Sequence, residues 1–277
     1  MRTSLKDKVV LITGASSGFG ADAARAFAHE GARVVLAARR LDRLQELAAE
    51  IQNTGGSAIA VPVDVANRAD ISNMVKTVID LYGRIDILFN NAGFGRLDWF
   101  ENLDPERDIE TQVDVNLLGV MQVTRAVLPH MILQRSGHII NMSSIAGWIA
   151  APLYGVYAAT KFAVRGFSDG LRREVTPFGI KVSGVYPGIA HTEFSEHTGN
   201  HILKTKKIQR PFFLKTTSLA VAKGVVRIAK YPRRNVIIPR TLHAVIWLEH
   251  NAPWLIDGVL SVYMKKYRPV NQELKRE

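Results

Sequence analysis

Hydrophobic and polar positions follow two alternating patterns along the chain. Short, nearly continuous apolar runs end in loops, which is typical of buried strands. We predict seven such strands, at 9–14, 32–38, 57–65, 84–93, 137–144, 180–188 and 235–239. Between them, apolar residues recur every three or four positions, which predicts amphipathic helices. These helices are expected at 19–30, 41–53, 67–82, 117–135, 155–175 and 217–230.

The regular alternation of strands and helices predicts the fold class. Apolar strands separated by helices indicate an α/β protein, because right-handed crossovers place helices on both faces of a parallel sheet. We therefore expect a Rossmann-like, doubly wound parallel sheet in a three-layer sandwich. One domain would span residues 1–240, with a substrate lid at 189–216, where no period is visible and the connection is unusually long. Residues 241–277 would form a basic, amphipathic, helical extension.

Composition narrows the chemistry that this chain can perform. The 277 residues are 47% hydrophobic and 22% charged, as in soluble globular proteins. Cysteine is absent, which excludes disulfides, a thiol nucleophile and thiolate metal sites. The first apolar run is too short for the core of a signal peptide. We expect a cytoplasmic protein, with membrane association as an addition suggested by the charge.

Positive charge is concentrated at the C-terminal end. Residues 204–277 carry 16 Lys and Arg against 4 Asp and Glu, whereas residues 1–203 carry 20 against 21. A solvated face is the simplest explanation, and without a recognisable nucleic-acid module we expect no nucleic-acid partner. Aromatic and apolar residues beside cations are also typical of contact with an anionic membrane surface. The residues concerned are Trp247, Trp254, Leu255, Tyr263, Lys265, Lys266 and Arg268. Packing over the active site or against another subunit is an equal alternative.

A glycine-rich turn follows the first predicted strand. The sequence TGASSGFG at 13–20 places Gly14, Gly18 and Gly20 between that strand and a helix, where dinucleotide phosphates could reach backbone NH groups. A merely tight turn would also explain an isolated glycine motif. The other motifs along the chain decide between these interpretations.

Those motifs make the chain resemble the classical short-chain dehydrogenase/reductase family over roughly residues 6–240. The matching segments occur in the family's order and spacing: TGASSGFG (13–20), PVDV (62–65), NNAG (90–93), VNLLG (115–119), NMSSIAG (141–147), YAATK (157–161) and PGIAHT (187–192). The resemblance implies catalytic roles for Asn116, Ser144, Tyr157 and Lys161. It implies contacts with the cofactor for Gly14, Ser16, Ser17, Gly18, Phe19, Gly20, Arg39, Asp64, Val65, Asn91, Ala92, Gly93, Tyr157, Lys161, Pro187, Gly188 and Thr192. A homodimer or homotetramer is also implied.

The chemistry of two of these residues can be argued without the family. In a helix that begins near residue 155, Tyr157 and Lys161 are four positions apart and share one face. An adjacent ammonium favours the phenolate, which makes Tyr157 the expected general acid and base. Either Ser143 or Ser144 could hold a substrate oxygen at the end of the preceding strand, and family spacing selects Ser144. Tyr154 is expected to precede the regular helix and to line the pocket.

The resemblance gives Asn116 and Lys161 further roles. The asparagine would bind backbone at a helix interruption, which alone would explain it structurally, and would also hold a water in a proton relay to Lys161; both roles can be true. Lys161 would also bind the nicotinamide ribose. Among the histidines, His130, His138, His191, His197 and His201 form no ligand pair at helical spacing with a carboxylate, so no metal is expected.

The end of the second strand predicts the cofactor. NAD enzymes usually carry an acidic residue there for the ribose 2′-hydroxyl, whereas an arginine accommodates the 2′-phosphate of NADP. Here Ala38 takes the acidic position and Arg39 follows it, so NADP is favoured and NAD is the lesser alternative. Arg40 and especially Arg43 can be explained as solvated residues at a helix start.

Bulky apolar residues follow several strand ends and predict a small lipophilic alcohol or ketone as substrate, if about half of them line the pocket. They are Phe94, Leu97, Trp99, Trp148, Leu153, Phe194, Ile202, Leu203, Phe212 and Phe213. The expected activity is NADP(H)-dependent hydride transfer by a short-chain alcohol dehydrogenase or ketone reductase. A non-catalytic dinucleotide sensor on the same fold is the alternative, and it would not need Ser144, Tyr157 and Lys161 together.

Overall fold

The computed structural model describes residues 3–190, 193 and 214–267, without the side chains of 263, 266 and 267. Its main sheet has seven parallel strands in the order β3-β2-β1-β4-β5-β6-β9. A separate pair, β7 and β8, is also parallel. The strands are β1 Val9–Thr13, β2 Arg33–Ala38, β3 Ser57–Pro62, β4 Ile87–Asn90, β5 Gly137–Met142, β6 Ile180–Pro187, β7 Ile189–Ala190, β8 Lys215–Thr216 and β9 Asn235–Ile238.

Eight α-helices of ten or more residues occur in the described part of the chain. They are α1 Gly18–His29, α2 Leu41–Asn53, α3 Arg68–Tyr82, α4 Gly119–Gln134, α5 Gly155–Val175, α6 Ser218–Lys230, α7 Leu242–Asn251 and α8 Pro253–Tyr267. The first six, with the seven sheet strands, confirm the predicted elements and the doubly wound α/β fold.

Two cores cover the two faces of the sheet, because successive side chains of a strand point to opposite faces. Val10 and Ile12 of β1 pack with α1, α2 and α6 on one face. Val9 and Leu11 pack with α3, α4 and α5 on the other. Strands buried on both sides explain why the sequence shows continuous apolar runs in place of strict alternation.

The strand order reverses between β1 and β4. From β1 the chain proceeds outward through β2 and β3, and then returns to β4 on the opposite side of β1. Because the connections leave in opposite directions at this point, a crevice opens outside the carboxyl ends of the two strands. The glycine-rich turn and the NNAG segment border this crevice.

Two elements differ from their predicted bounds. Strand β4 is Ile87–Asn90, shorter than the predicted 84–93, because Arg84 and Asp86 form an ionic link before it and residues 91–93 turn into the crevice. The predicted helix at 117–135 is preceded by wider π-helical turns at Pro105–Glu110 and Asp114–Leu118. Asn116 lies in the second of these turns, before α4 begins at Gly119.

The C-terminal extension consists of the two helices α7 and α8. They are separated at Ala252, and Pro253 begins α8, as expected of proline at a helix start. Leu242 and Ile246 of α7 are buried against Tyr186 of β6. Apart from β7, Glu193 and the segment from Leu214 onward, the predicted lid at 189–216 lies outside the described residues, as does the predicted anchor residue Arg268.

A buried carboxylate joins β1 to the residues that precede β4. Asp86 accepts hydrogen bonds from the Val9 backbone NH at 2.9 Å, Lys8 Nζ at 3.0 Å and Arg84 Nη2 at 2.6 Å. Burial raises the pKa of Asp86, but the hydrogen bonds from Arg84, Val9 and Lys8 outweigh it and hold the pKa below its usual value. This link aligns the two strands that border the crevice.

We predict that Asp86→Asn lowers the free energy of unfolding by about 2 kcal/mol, because hydrogen bonds to a charged group are replaced by neutral ones. Since the folded pKa is lowered, this contribution is present at neutral pH and is lost as the pH falls below about 4. Urea unfolding at pH 7 and pH 3 measures it. An equal difference between variant and wild type at both pH values would contradict the assignment to charge. Asp80→Asn, in an exposed pair with Lys76, is the matched control.

Candidate active site

A cavity of about 1250 Å³ lies at the carboxyl edge of the sheet, outside β1, β4, β5 and β6. Sixteen of the predicted site residues line it. They are Gly14, Ser16, Ser17, Gly18, Phe19, Arg39, Asp64, Val65, Asn91, Ala92, Gly93, Ser144, Tyr157, Lys161, Pro187 and Gly188. Gly20 is buried beneath the loop, Asn116 is buried behind the wall, and Thr192 lies outside the described residues.

The glycine-rich turn is held against the end of β4 at a distance that requires glycine. A Cβ on Gly20 would lie 2.3 Å from the Gly14 carbonyl oxygen and 2.6 Å from Asn91 Nδ2. Gly14 has a positive φ of 66°, a conformation that favours glycine. Asn91 Nδ2 donates to the carbonyls of Thr13 and Gly14, both at 3.1 Å. The turn therefore has a fixed shape, with the start of α1 directed toward the cavity.

Asp64 begins the loop after β3 and lines the same end of the cavity. Its Oδ1 accepts the Ala66 backbone NH at 3.0 Å, and its own NH donates to Asp70 at 3.0 Å. These bonds fix the Asp64 carboxylate beside Val65 in the cavity wall.

Asn116 fastens the segment after β4 to the wide helical turn. Its Oδ1 accepts the Phe94 backbone NH at 2.9 Å and its Nδ2 donates to the Phe94 carbonyl at 2.7 Å. The predicted binding of backbone at a helix interruption is therefore observed. Gly93 lies beside this amide, and a Cβ there would be 3.0 Å from Asn116 Oδ1 and 3.4 Å from Lys161 Nζ.

The two serines after β5 have different surroundings. Ser143 also lines the cavity, but it is buried and its hydroxyl donates to the Lys161 carbonyl at 3.0 Å, which fits the structural hydroxyl expected of it. The Ser144 hydroxyl lies at the cavity, accepts the Ala146 NH at 3.1 Å and forms a hydrogen bond with Tyr157. The structure thus brings Ser144 and Tyr157 together.

Tyr157 and Lys161 share one face of α5, as their spacing predicted. The expected lowering of the Tyr157 pKa by the Lys161 ammonium is wrong. Burial raises the pKa of Tyr157 well above its usual range, and the hydrogen bond with Ser144 only partly opposes this. Lys161 Nζ lies 5.6 Å from the Tyr157 ring centre and donates to the Met142 carbonyl at 3.1 Å. Burial lowers the pKa of Lys161 to about 8. Because the pKa of Tyr157 is raised, its phenol is protonated at neutral pH.

Three arginines follow β2, and they differ in what they contact. Arg39 is exposed and lines the cavity. Arg40 donates to the hydroxyls of Ser16 and Ser17, both at 2.9 Å, and to Glu193 at 3.0 Å. Arg43 binds Glu193 at 2.5 Å. The explanation of Arg40 and Arg43 as merely solvated residues is wrong, because both guanidinium groups bind Glu193, and Arg40 also lines the cavity.

The opposite end of the cavity is mostly apolar. Four of the five described residues predicted there line it, namely Phe94, Leu97, Trp99 and Leu153; Tyr154 does so as well, directly before α5. Trp148 does not, because it packs against Arg165 at 3.4 Å and against Tyr186. The predicted residues Phe194, Ile202, Leu203, Phe212 and Phe213 lie outside the described part.

The C-terminal helices α7 and α8 pack over this apolar end, which was one of the alternatives for the C-terminal extension. Residues of both helices line the cavity, namely Val245, Leu248, Leu255, Ile256, Val259, Leu260 and Met264. The spacing of Ile256, Leu260 and Met264, four residues apart, could have identified one inward helical face. Glu193 was missed, because nothing in the local sequence relates it to arginines 150 positions earlier.

Among the described residues, one histidine, His138, has a pKa far below its usual value, and its role is structural. His138 is buried, its Nε2 lies 2.8 Å from the Ser183 hydroxyl, and burial lowers its pKa to about 3. It is therefore neutral. His191, His197 and His201 lie outside the described residues. Among described residues, no helix is long and apolar enough to cross a membrane.

Comparison with known proteins gives the same family over most of the chain. The sequence model of the short chain dehydrogenase family matches residues 8–202. An uncharacterized oxidoreductase of Staphylococcus saprophyticus is 39% identical over 204 residues, covering 73% of this chain and 81% of the relative. The ketoacyl reductase HetN of Nostoc is 35% identical over 237 residues, covering 85% and 80%.

Solved structures agree. A short chain dehydrogenase/reductase from Burkholderia phymatum in complex with NAD has a TM-score of 0.81 at 25% identity, covering 92% of this chain and 96% of that chain. A serine dehydrogenase complexed with NADP+ has a TM-score of 0.75 at 33% identity, covering 83% and 94%. The match over residues 8–202, the sheet order and the arrangement of the cavity lead to one conclusion: the chain belongs to the short-chain dehydrogenase family of oxidoreductases.

Proposed function

We propose that this protein transfers hydride between NADP(H) and a lipophilic alcohol or ketone, with Tyr157 as the general acid and base. The observation that carries the proposal is the meeting of Ser144, Tyr157 and Lys161 at the wall between a polar and an apolar end of one cavity. A sensor that only bound a dinucleotide would not need this meeting of a hydroxyl, a phenol and an ammonium.

The residues of the polar end fit a dinucleotide. Gly14 and Gly18, both with positive φ, turn the backbone into the start of α1, where NH groups favour phosphate oxygens. Arg39 and Arg40 supply guanidinium groups, and no carboxylate follows β2 directly. The solved relatives include both NAD and NADP complexes, so the preference for NADP rests on these arginines. When bound, the nicotinamide supplies or accepts the hydride.

The protein residues handle the proton at the substrate oxygen. In reduction, the Tyr157 hydroxyl donates its proton to that oxygen, and burial suits it to this role because the phenol is protonated at neutral pH. The Ser144 hydroxyl, already bonded to Tyr157, can hold the same oxygen. Lys161, the cation nearest the ring, stabilises the negative charge left on the phenol. In oxidation the proton moves in the opposite direction. The proton-relay water beside Asn116 and the contact of Lys161 with the nicotinamide ribose are part of this proposal.

The apolar end suggests the substrate class. Phe94, Leu97, Trp99 and Leu153 line it together with α7 and α8, and burial of apolar substrate surface there would provide binding energy. The name of HetN, a ketoacyl reductase, is consistent with a ketone on an apolar chain. From the family resemblance we also propose a homodimer or homotetramer.

We predict that Tyr157→Phe retains cofactor binding within about threefold but lowers kcat by at least about a hundredfold, because only the exchangeable proton is lost. NADPH oxidation with a panel of lipophilic ketones measures turnover, and fluorescence titration measures binding. Tyr231→Phe, at an exposed position beyond α6, is the control and should match wild type. Full turnover in the Tyr157 variant would reject the assignment.

We predict that Arg39→Ala weakens NADPH binding by about tenfold and NADH binding by much less, because only NADPH carries a 2′-phosphate for the guanidinium. Dissociation constants for both cofactors test this, with Arg173→Ala on α5 as the exposed control. Equal losses for the two cofactors would make Arg39 a structural residue.

We further propose that the outer face of α7 and α8 rests on an anionic membrane surface. Trp247, Trp254 and Val262 are 64%, 65% and 73% exposed, although the inner face of the same helices lines the cavity. Aromatic residues beside Lys265 are suited to the boundary between lipid tails and anionic headgroups, and each cation contributes about 1 kcal/mol there. A lipophilic substrate could then reach the cavity directly from the bilayer.

We predict co-sedimentation with phosphatidylserine vesicles at low salt, weaker binding at high salt and weak binding to neutral vesicles. Replacing Trp247 and Trp254 by alanine should abolish most of the binding. The matched control replaces Leu81 and Leu133, which are 57% and 84% exposed on other helices. If the wild type does not bind and the tryptophan variant instead changes the oligomeric state in light scattering, the face is a subunit contact.

A further inference from the structure

A carboxylate occupies the part of the cavity in which the arginines after β2 converge. Glu193 Oε2 lies 3.0 Å from Arg40 Nη1, and Glu193 Oε1 lies 2.5 Å from Arg43 Nη1. The Ser17 hydroxyl is also hydrogen-bonded to this carboxylate. Glu193 therefore contacts three groups that border the glycine-rich turn, although it follows β7 on the other side of the cavity.

The carboxylate is firmly ionised in this position. Burial raises its pKa, but hydrogen bonds from Arg43, Arg40 and Ser17 outweigh burial and lower the pKa of Glu193 to about 2. A negative charge is thus present at every physiological pH. The side chains are only partly exposed, at 39% for Arg40, 42% for Arg43 and 35% for Glu193, so water screens the pairs incompletely.

The partners of Glu193 form a set that also recognises phosphate. Two guanidinium groups and the hydroxyls of Ser16 and Ser17 provide several donors within one small region. Arginine forks match the oxygens of carboxylates and phosphates equally well, because both present paired anionic oxygens. One anion can satisfy these donors fully, and a second anion must displace the first or share them at a cost in repulsion.

We propose that Glu193 is an internal competitor for the 2′-phosphate of the cofactor and so limits the preference of the protein for NADP over NAD. This inference rests on the proposed function, in which the arginines after β2 receive that phosphate. A cofactor without the 2′-phosphate can bind while Glu193 keeps Arg40 and Arg43. A cofactor with it must first release the carboxylate, and the free energy of that release reduces the discrimination.

The test measures binding of two fragments that differ only in the phosphate concerned. Adenosine 2′,5′-bisphosphate and adenosine 5′-monophosphate are titrated calorimetrically into the full-length wild type and into Glu193→Gln. We expect the variant to bind the bisphosphate about tenfold more tightly, a size usual for coupled sites, and to bind the monophosphate as the wild type does. Glutamine keeps the length and loses the charge. Glu50→Gln, which removes a carboxylate paired with Arg25 on the outside of α1 and α2, should change neither constant.

A second background tests the mechanism of the effect. In Arg43→Ala, one of the two contested guanidinium groups is absent, so the gain from Glu193→Gln should shrink to about threefold or less. A gain that is the same in both backgrounds, a gain for both fragments, or no gain for the bisphosphate would each overturn the inference.

The outcome is distinguishable from failure of the proposed function. If the wild type binds the two fragments equally but Glu193→Gln prefers the bisphosphate, the proposed NADP preference is wrong and the competition by Glu193 stands. If ketone reduction is absent with either cofactor while the fragment constants behave as expected, the proposed activity fails and the inference again stands.

Discussion

The parallel direction of all seven strands of the main sheet is the constraint on which the site depends. Because every strand runs the same way, all carboxyl ends meet at one edge, and residues far apart in sequence reach one cavity. The reversal of strand order between β1 and β4 prevents the connections from closing that edge. The predicted site residues then need only to follow strands: Asn91 follows β4, Ser144 follows β5, and Pro187 ends β6. Tyr157 and Lys161 arrive on the helix that begins after β5.

Hydrogen bonds between the ends of β1 and β4 fix the positions of the residues at this edge. Thr13 Oγ1 accepts the backbone NH groups of Asn91 and Ala92, both at 3.1 Å, while the Asn91 side chain binds back to the carbonyl groups of Thr13 and Gly14. These reciprocal bonds hold the ends of β1 and β4 together, and the Gly14 carbonyl and the Asn91 side chain leave no room for a Cβ on Gly20. The shape of the turn is therefore set by strand contacts as much as by its own sequence.

Most of the fold was predictable because buried strands and amphipathic helices leave strong periodic patterns. The site residues that follow strand ends were predictable for the same reason, once their motifs were placed on the elements. Contacts between distant segments were not. The pairing of Glu193 with Arg43 depends on where a long connection returns, and no local period records it. The raised pKa of Tyr157 also escaped prediction, because helical spacing shows that Lys161 is a neighbour but does not show how deeply the phenol is buried.

The two ends of the cavity differ in polarity, because arginines line one end and mostly apolar residues line the other. The proposed chemistry depends on this difference. At the polar end, arginines and backbone NH groups remain partly accessible to water, so anions can enter and leave there. At the apolar end, the lining residues of α7 and α8 favour uncharged surface. Tyr157 lies in the same cavity wall, where burial raises its pKa and keeps its phenol neutral. In the proposed mechanism, Ser144 directs the proton to a substrate oxygen and Lys161 stabilises the phenolate that remains. The proposed role of Tyr157, as a group that releases its proton and takes it back, therefore depends on the Lys161 amine 5.6 Å from its ring centre.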